Sequence, residues 1–243
     1  MDHNQPPITD QPAVDFDTRP PVPVNEYDQT VRRVNVGYDL LFALAHSFLR
    51  ALRWPNLELL VVGAGGGAEI ESFLPANPDW RLTGVDPSAE MLALARAKAE
   101  HRRVLDRVTL LRGTVDELPD DGRFDAAVCL FVLHFLPDEA KLATLRGIYH
   151  RLRPRAPLLV ACGTRVVEDV GLRDDYLGAW QQFGELMGMP AERMATLIEQ
   201  LLPQQASSSL EETYVRLMHE ADFEHVGSVL RVMGGGMAAW LAR

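Results

Sequence analysis

The most chemically suggestive stretch of the 243-residue chain is Leu59-Leu60-Val61-Val62-Gly63-Ala64-Gly65-Gly66-Gly67-Ala68-Glu69. An apolar run suited to a buried strand enters a glycine-rich turn and leaves as a helix. Glycine reaches positive φ without a steric penalty and lets a ligand lie against bare backbone. The amides that open the following helix favour negative charge. Asp86 follows at the end of the next apolar run, about twenty residues on, where a carboxylate can accept hydrogen bonds from both hydroxyls of a ribose. The alternative for Asp86 alone is a helix N-cap beside Pro87. Together, loop and acid point to a cofactor that carries a nucleoside. Gly63-Ala64-Gly65-Gly66-Gly67-Ala68 satisfies the dinucleotide fingerprint, with its permitted final alanine, and also the pattern G-x-G-x-G. The loop by itself therefore leaves the cofactor open.

One histidine stands where a proton could be moved. His134 follows the fourth apolar run, at the sheet edge where ligands bind in α/β folds, and the ordinary pKa of imidazole suits proton transfer near neutrality. It is the candidate catalytic base; a packing or helix-start histidine is the alternative. His150, His219 and His225 fall on helix or helix-end positions and are expected to be solvated. No spacing of His, Asp or Glu resembles a metal site.

Periodicity supplies the elements that must hold these groups. Residues 1–25 are rich in Pro and Asp, with sparse apolar residues, and read as an extended or disordered tail. Tyr27, Val31, Val34 and Tyr38 recur at helical spacing, as do Leu40, Leu41, Leu44, Phe48 and Leu52, with a break at Asn35-Val36-Gly37. Apolar strands at Leu57–Val62, Arg81–Val85, Val108–Arg112, Ala126–Phe131 and Pro157–Cys162 then alternate with helices at Ala68–Phe73, Ser88–Arg103 and Asp138–Leu152. Ser88 is the expected cap of its helix. This alternation predicts a parallel sheet covered on both faces. Residues 165–221 are predominantly helical: Arg173–Met187, Ala191–Leu202 and Ser209–Ala221, the last with Ser209 and Glu212 as a capping box. Val226–Val232 and Met237–Leu241 flank Gly234-Gly235-Gly236 as a closing hairpin.

Composition narrows the class. No apolar run approaches the roughly 18–20 residues that span a bilayer. A formal net charge of -10 disfavours a general nucleic-acid binder. Cys129 and Cys162 sit within apolar runs and read as reduced structural thiols. With no secretory signal visible, a cytoplasmic protein is expected.

Several segments, in order, resemble class I S-adenosylmethionine (SAM)-dependent methyltransferases. They are Val62–Gly67, then Gly84-Val85-Asp86-Pro87-Ser88-Ala89-Glu90-Met91-Leu92, then Arg112-Gly113-Thr114-Val115-Asp116-Glu117-Leu118-Pro119, then Phe124–Pro137, Leu152–Val160, and the stretch from Ala221-Asp222-Phe223 onward. The likeness covers residues 26–243. It implies a Rossmann-like α/β fold: a seven-stranded, mostly parallel sheet with the last strand antiparallel, and a helical insertion between strands 5 and 6 (165–221) that covers substrate. It implies SAM as cofactor, S-adenosylhomocysteine (SAH) as product and a small molecule as methyl acceptor.

By the same resemblance, Gly63, Ala64, Gly65 and Gly67 form the turn beneath the methionine part of SAM. Asp86 takes the ribose, Pro87 and Met91 flank the nucleoside, Thr114 and Val115 stand at the adenine edge, and Leu130 meets the ligand through its backbone. Two positions depart from the pattern. Val61 stands where an acid is usual, as does Thr114, for which Asp116 is a substitute. The stretch Tyr27–Asp39 is similar to the opening of carboxy-SAM synthase-like proteins, which implies a homodimer and Tyr38 as a pocket residue; a core aromatic on the helix face is the alternative for Tyr38. The arginine that those proteins use for an added carboxylate falls near Glu199 here, with Arg193 close by only after a shift of register. An ordinary methyltransferase is therefore favoured over a carboxy-SAM synthase, a non-catalytic SAM-fold protein or a nicotinamide-dependent reductase. Trp180, Phe183, Met187 and Met189 are expected either to line an apolar acceptor pocket or to pack within the insertion.

Overall fold

Strand β1 (Glu58–Val62) runs through the middle of the sheet, and four of its five residues are buried. Such a strand must be covered on both faces, which is why its sequence is apolar without alternation. The structure, a computed structural model, describes residues 16–18, 22–165, 172–232 and 236–243. Among these, β2 (Arg81–Asp86), β3 (Val108–Arg112), β4 (Ala126–Leu130), β5 (Leu158–Gly163), β6 (Val226–Val232) and β7 (Met237–Ala242) join β1 in one sheet of order β3-β2-β1-β4-β5-β7-β6. β1 to β5 pair in parallel, whereas β7 runs antiparallel to both β5 and β6. The expected fold, including the antiparallel last strand, is therefore present. The turn at Gly234-Gly235 lies outside the described residues; Gly236 lies within them.

Successive residues of each strand feed two different cores, as the two-residue period of a strand requires. Leu59, Val61, Leu82, Val128 and Leu159 face α2 (Tyr38–Ala51), α3 (Ala68–Phe73) and α4 (Ala89–His101). Leu60, Val62, Cys129, Val160 and Trp240 face α5 (Asp138–Arg151) and α8 (Glu211–Glu220). A third, smaller core joins Val34 of α1 (Tyr27–Val34) to α6 (Arg173–Leu186) and α7 (Ala191–Ser207) through Trp180, Met194, Leu197 and Ile198. Within the insertion expected over 165–221, α6 thus packs on α1 and α7 on α6, while α8 packs on α5 and β6 as part of the sheet's second face.

Local signals explain the boundaries. Ser88 caps α4 by accepting a hydrogen bond from the Met91 amide at 3.1 Å, as expected. Ser209 does not cap α8: the helix starts two residues later, with Leu210 at the cap position and no side-chain bond there. Its hydroxyl instead joins Asp138 and Lys141 across to α5, and a buried ammonium gains more from that contact than a helix end does from a cap. A capping box does form elsewhere. Thr114 and Glu117 bracket the one-turn helix Val115–Glu117. Of the segment 1–25, most lies outside the described residues. Phe16–Thr18 and the residues from Val22 on make definite contacts, set out below.

Candidate functional site

The turn between β1 and α3 is shaped by what glycine permits. Gly63 and Gly65 adopt φ of 72° and 45°. A Cβ on Gly63 would stand 2.1 Å from Val132 Cγ2, so the chain after β4 passes directly against this backbone. Gly67 serves the scaffold: a Cβ there would come within 2.8 Å of the Ala95 backbone, so its bareness lets α3 approach α4.

Above this turn lies a cavity of about 440 Å³. Its floor is Gly63, Ala64, Gly65 and Gly66; Leu130, Phe131 and His134 close one side; Tyr27 and Tyr38 come from the N-terminal helices. The far end is mainly apolar, with Val34, Phe135, Trp180, Leu197, Leu201 and Met237, beside the polar Asn35, Gln200 and Ser208. Trp180 donates its indole N–H to the Val34 carbonyl at 2.7 Å, which ties α6 to α1 across that end. Tyr38 stacks on Phe131, with ring centroids 5.7 Å apart. Phe16 meets Tyr27 and Phe135 edge-on, so part of the expected tail closes the cavity.

Asp86 is almost fully buried at the end of β2. One of its oxygens accepts from the Gly65 amide at 2.8 Å, the other from Ser88 at 2.9 Å. Burial raises its pKa against the opposing pull of these two amides. Ser88, not Asp86, is the N-cap of α4; the acid instead fixes the turn after β2 and braces the glycine loop, and each carboxylate oxygen keeps acceptor capacity for a further donor. Asp17 lies beside it. The Asp17 carboxylate accepts from the Ser88 hydroxyl and from the Ala89 and Glu90 amides, which hold its pKa below the usual carboxylate value.

His134 is half-buried, and its Nδ1 accepts a hydrogen bond from the Gly163 amide at 3.2 Å. That bond assigns the remaining proton to Nε2 in the neutral ring. Desolvation, with a smaller push from the Lys141 charge, lowers its pKa to about 4. Gly163 is held from its other side by the Tyr214 hydroxyl, which donates to the Gly163 carbonyl at 3.2 Å.

Tyr38, Gly63, Ala64, Gly65, Leu130 and His134 therefore meet on one cavity. Asp86, Pro87, Met91, Thr114 and Val115 do not line it, although Asp86 bonds the Gly65 amide of its floor. Met91 packs against the glycine turn from outside the cavity, where its Cε would lie 3.5 Å from a Cβ on Gly65. The Thr114 side chain is occupied by its cap, and the Val115 side chain is buried in the second core. Asp116 cannot stand in for an acid at the site, because its carboxylate lies against Gly147 of α5. Val61 is buried apolar core. Of the four insertion residues singled out, Trp180 lines the cavity, Met189 packs in the third core, Met187 is exposed and Phe183 is partly buried outside the lining. Arg193 pairs with Glu26 and is not in the lining.

Sequence reasoning missed Glu69. It reads as a first-turn acid of α3, a favourable place for a carboxylate on any helix. In the structure it is 5% exposed and lines the cavity, and desolvation pushes its pKa up to about 7. The floor of bare backbone, the buried acid and a lining without Lys or Arg among the described residues suit a compact cation such as SAM. A dinucleotide would bring its pyrophosphate against Glu69 and Asp28. Among the described residues no helix is long and apolar enough to cross a membrane, and no group of three or more His, Cys, Asp or Glu could hold a metal ion.

Comparison with known proteins agrees with this geometry. Residues 60–158 match a family described as "Methyltransferase domain". The chain is 44% identical over 119 residues to the demethylmenaquinone methyltransferase of Lactiplantibacillus plantarum, covering 44% of this chain and 49% of that protein. It is 27% identical over 196 residues to a ubiquinone/menaquinone biosynthesis C-methyltransferase of Agrobacterium fabrum, covering 73% of each. The match thus spans about half the length of the first of these relatives. Among solved structures, the magnesium protoporphyrin IX methyltransferase of Synechocystis PCC 6803 with bound SAH superposes with a TM-score of 0.62 at 16% identity, over 93% of this chain and 95% of that one. Residues 60–158 thus match a methyltransferase domain, and they lie within a seven-stranded sheet whose glycine turn is answered by Asp86.

Proposed function

We propose that this protein transfers a methyl group from SAM to a small, largely apolar acceptor that carries an oxygen function, such as a hydroxylated ring. The observation that carries the reading is the continuity of one cavity from the glycine turn to the apolar end beneath α6 and α7. The turn and Asp86 suit the constant cofactor, and Trp180, Leu197 and Leu201 suit a variable acceptor. The relatives named for quinone methylation support an oxygenated ring. The net charge of -10 supports a small molecule over a nucleic acid.

SAM supplies a methyl group on a positively charged sulfur. The chain's part is to align and to dry. Gly63 and Gly65 allow close approach to backbone, Asp86, which braces that turn through the Gly65 amide, has acceptor capacity for the ribose hydroxyls, and Tyr38 and Phe131 wall the cavity against water. His134 was expected to act as a base, but a ring with Nδ1 engaged and a pKa near 4 is a poor proton acceptor. Its Nε2–H is suited to donate a hydrogen bond to the acceptor's oxygen. That positions the acceptor and stabilises negative charge as it develops there.

The test is an assay of SAH formation by the purified protein with SAM and a panel of hydroxylated aromatic and quinol acceptors, beside an aliphatic amine series. Turnover confined to oxygenated rings is the expected result. Turnover only with charged amines would overturn the acceptor class.

A further inference from the structure

Glu69 carries an inference beyond this reading, although it rests on the proposed use of SAM. A carboxylate placed where water is largely excluded pays a desolvation penalty unless something compensates it. Among the described residues, the Glu69 carboxylate has no hydrogen-bond partner other than its own backbone amide. The nearest cation, Lys98, is already engaged by Asp28 and by Glu71, the latter at 3.5 Å. Nothing on β1 supplies charge to the turn, since Val61 is buried and apolar. Yet Glu69 projects into the cavity directly after the glycine turn, among Tyr27, Asp28 and Tyr38. A fold that retains an unpaired buried acid facing an opening is arranged for a positive ligand group to complete it.

We propose that Glu69 is the residue that recognises the amino-acid end of the cofactor, its carboxylate pairing with the α-ammonium group. SAM and SAH share that group, whereas 5′-methylthioadenosine keeps the adenosyl thioether and lacks the amino acid. Glu69 thus separates cofactor from nucleoside, and Asp86 binds what the two have in common.

The pairing is linked to protons. The groups that face Glu69 are Tyr27 and Asp28 of α1, Tyr38 of α2, Asp86 of β2, Lys98 of α4 and, more remotely, Cys129 of β4. With a free-state value of about 7, the Glu69 carboxyl is mostly protonated at pH 6 and mostly ionised at pH 8. An ammonium ligand binds the ionised form, so affinity for SAH rises with pH by about tenfold between these limits, while the ammonium itself stays charged.

Calorimetric titration of the full chain with SAH and with 5′-methylthioadenosine at pH 6, 7 and 8, on the wild type and Glu69→Gln, tests this. Glu69→Gln should weaken SAH at pH 8 by at least about tenfold, leave 5′-methylthioadenosine within about twofold and abolish the rise with pH. The wild-type pH series needs no variant to fold. SAH affinity unchanged in Glu69→Gln, equal losses of both ligands, or a flat wild-type profile would overturn the assignment while leaving the cofactor intact. A wild type that binds neither ligand would overturn the cofactor reading and this inference with it.

Discussion

The two ends of the cavity are built by different means. At the proposed cofactor end, the floor is backbone: four residues from Gly63 to Gly66, steadied by one carboxylate at the end of the adjacent strand. At the proposed acceptor end, side chains from α1, α6, α7 and β7 converge, with Val34, Trp180, Leu197 and Met237 far apart in sequence. The cofactor is the same in every turnover, so its end can rely on local backbone geometry, which tolerates little change. Acceptor recognition relies on side-chain volume and can be retuned residue by residue. The difference predicts that damage at the first end removes the cofactor, whereas damage at the second alters catalysis and leaves the cofactor bound.

The largest expected effect sharpens the first half of that contrast. Gly63→Ala must fit a Cβ 2.1 Å from Val132 and hold φ of 72°. Relief requires the turn or the chain after β4 to move, at about 1–3 kcal/mol each for the conformation and the overpacking. SAH binding measured by calorimetry should fall at least about 100-fold, with a lowered melting temperature. Near-native affinity in that variant would mean that the turn does not touch the cofactor.

A smaller effect is expected on the acceptor side. His134→Phe keeps an aromatic ring and removes the Nε2 donor, so kcat/KM should drop by about 10- to 100-fold while SAH affinity stays within about twofold. The pH dependence separates donor from base. A His lowered to about 4 is neutral throughout pH 5–8 and contributes no inflection there. As pH falls towards 4, protonation of Nδ1 removes the acceptor for the Gly163 amide, and activity should decline. A step near pH 6.5 that vanishes in His134→Phe would restore the role of base.

The smallest effect tests the roof. Trp180→Phe retains a ring and loses the bond to the Val34 carbonyl, at a cost of about 0.5–1.5 kcal/mol in unfolding free energy. The acceptor's KM should rise a fewfold with SAH affinity unchanged. A parallel loss of SAH affinity would show that the two ends are not independent.

The same division decided what the sequence made legible. β1, the glycine turn, α3 and β2 are contiguous, each with a strong local signal, and Asp86 falls at the strand end where it was expected. The seven strands lie within about a residue of their periodicity: β1, β2, β4, β5 and β7 are buried and read directly from apolar runs, and the half-exposed edge strands β3 and β6 read from short β-branched and aliphatic runs. Glu69 was not legible, because a first-turn acid looks the same whether α1 and α2 cover it or solvent does. Phe16 and Asp17 lie in a proline-rich stretch, and nothing local marks them as partners of Phe135 and Ser88. Ser209 was misread because the buried Lys141, 68 residues away in sequence, claims its hydroxyl. Thr114 was assigned by resemblance to an adenine edge, whereas its own capping box with Glu117 is visible in the sequence as T-x-x-E.

The central claim is that one cavity holds cofactor and acceptor end to end, and the most direct measurement is a crystal structure of the protein with SAH. The ribose is expected on Asp86, the amino-acid end beside Glu69, and free volume between the sulfur and His134. SAH bound elsewhere, or a glycine turn filled by the protein's own side chains while SAH is present at saturation, would contradict it.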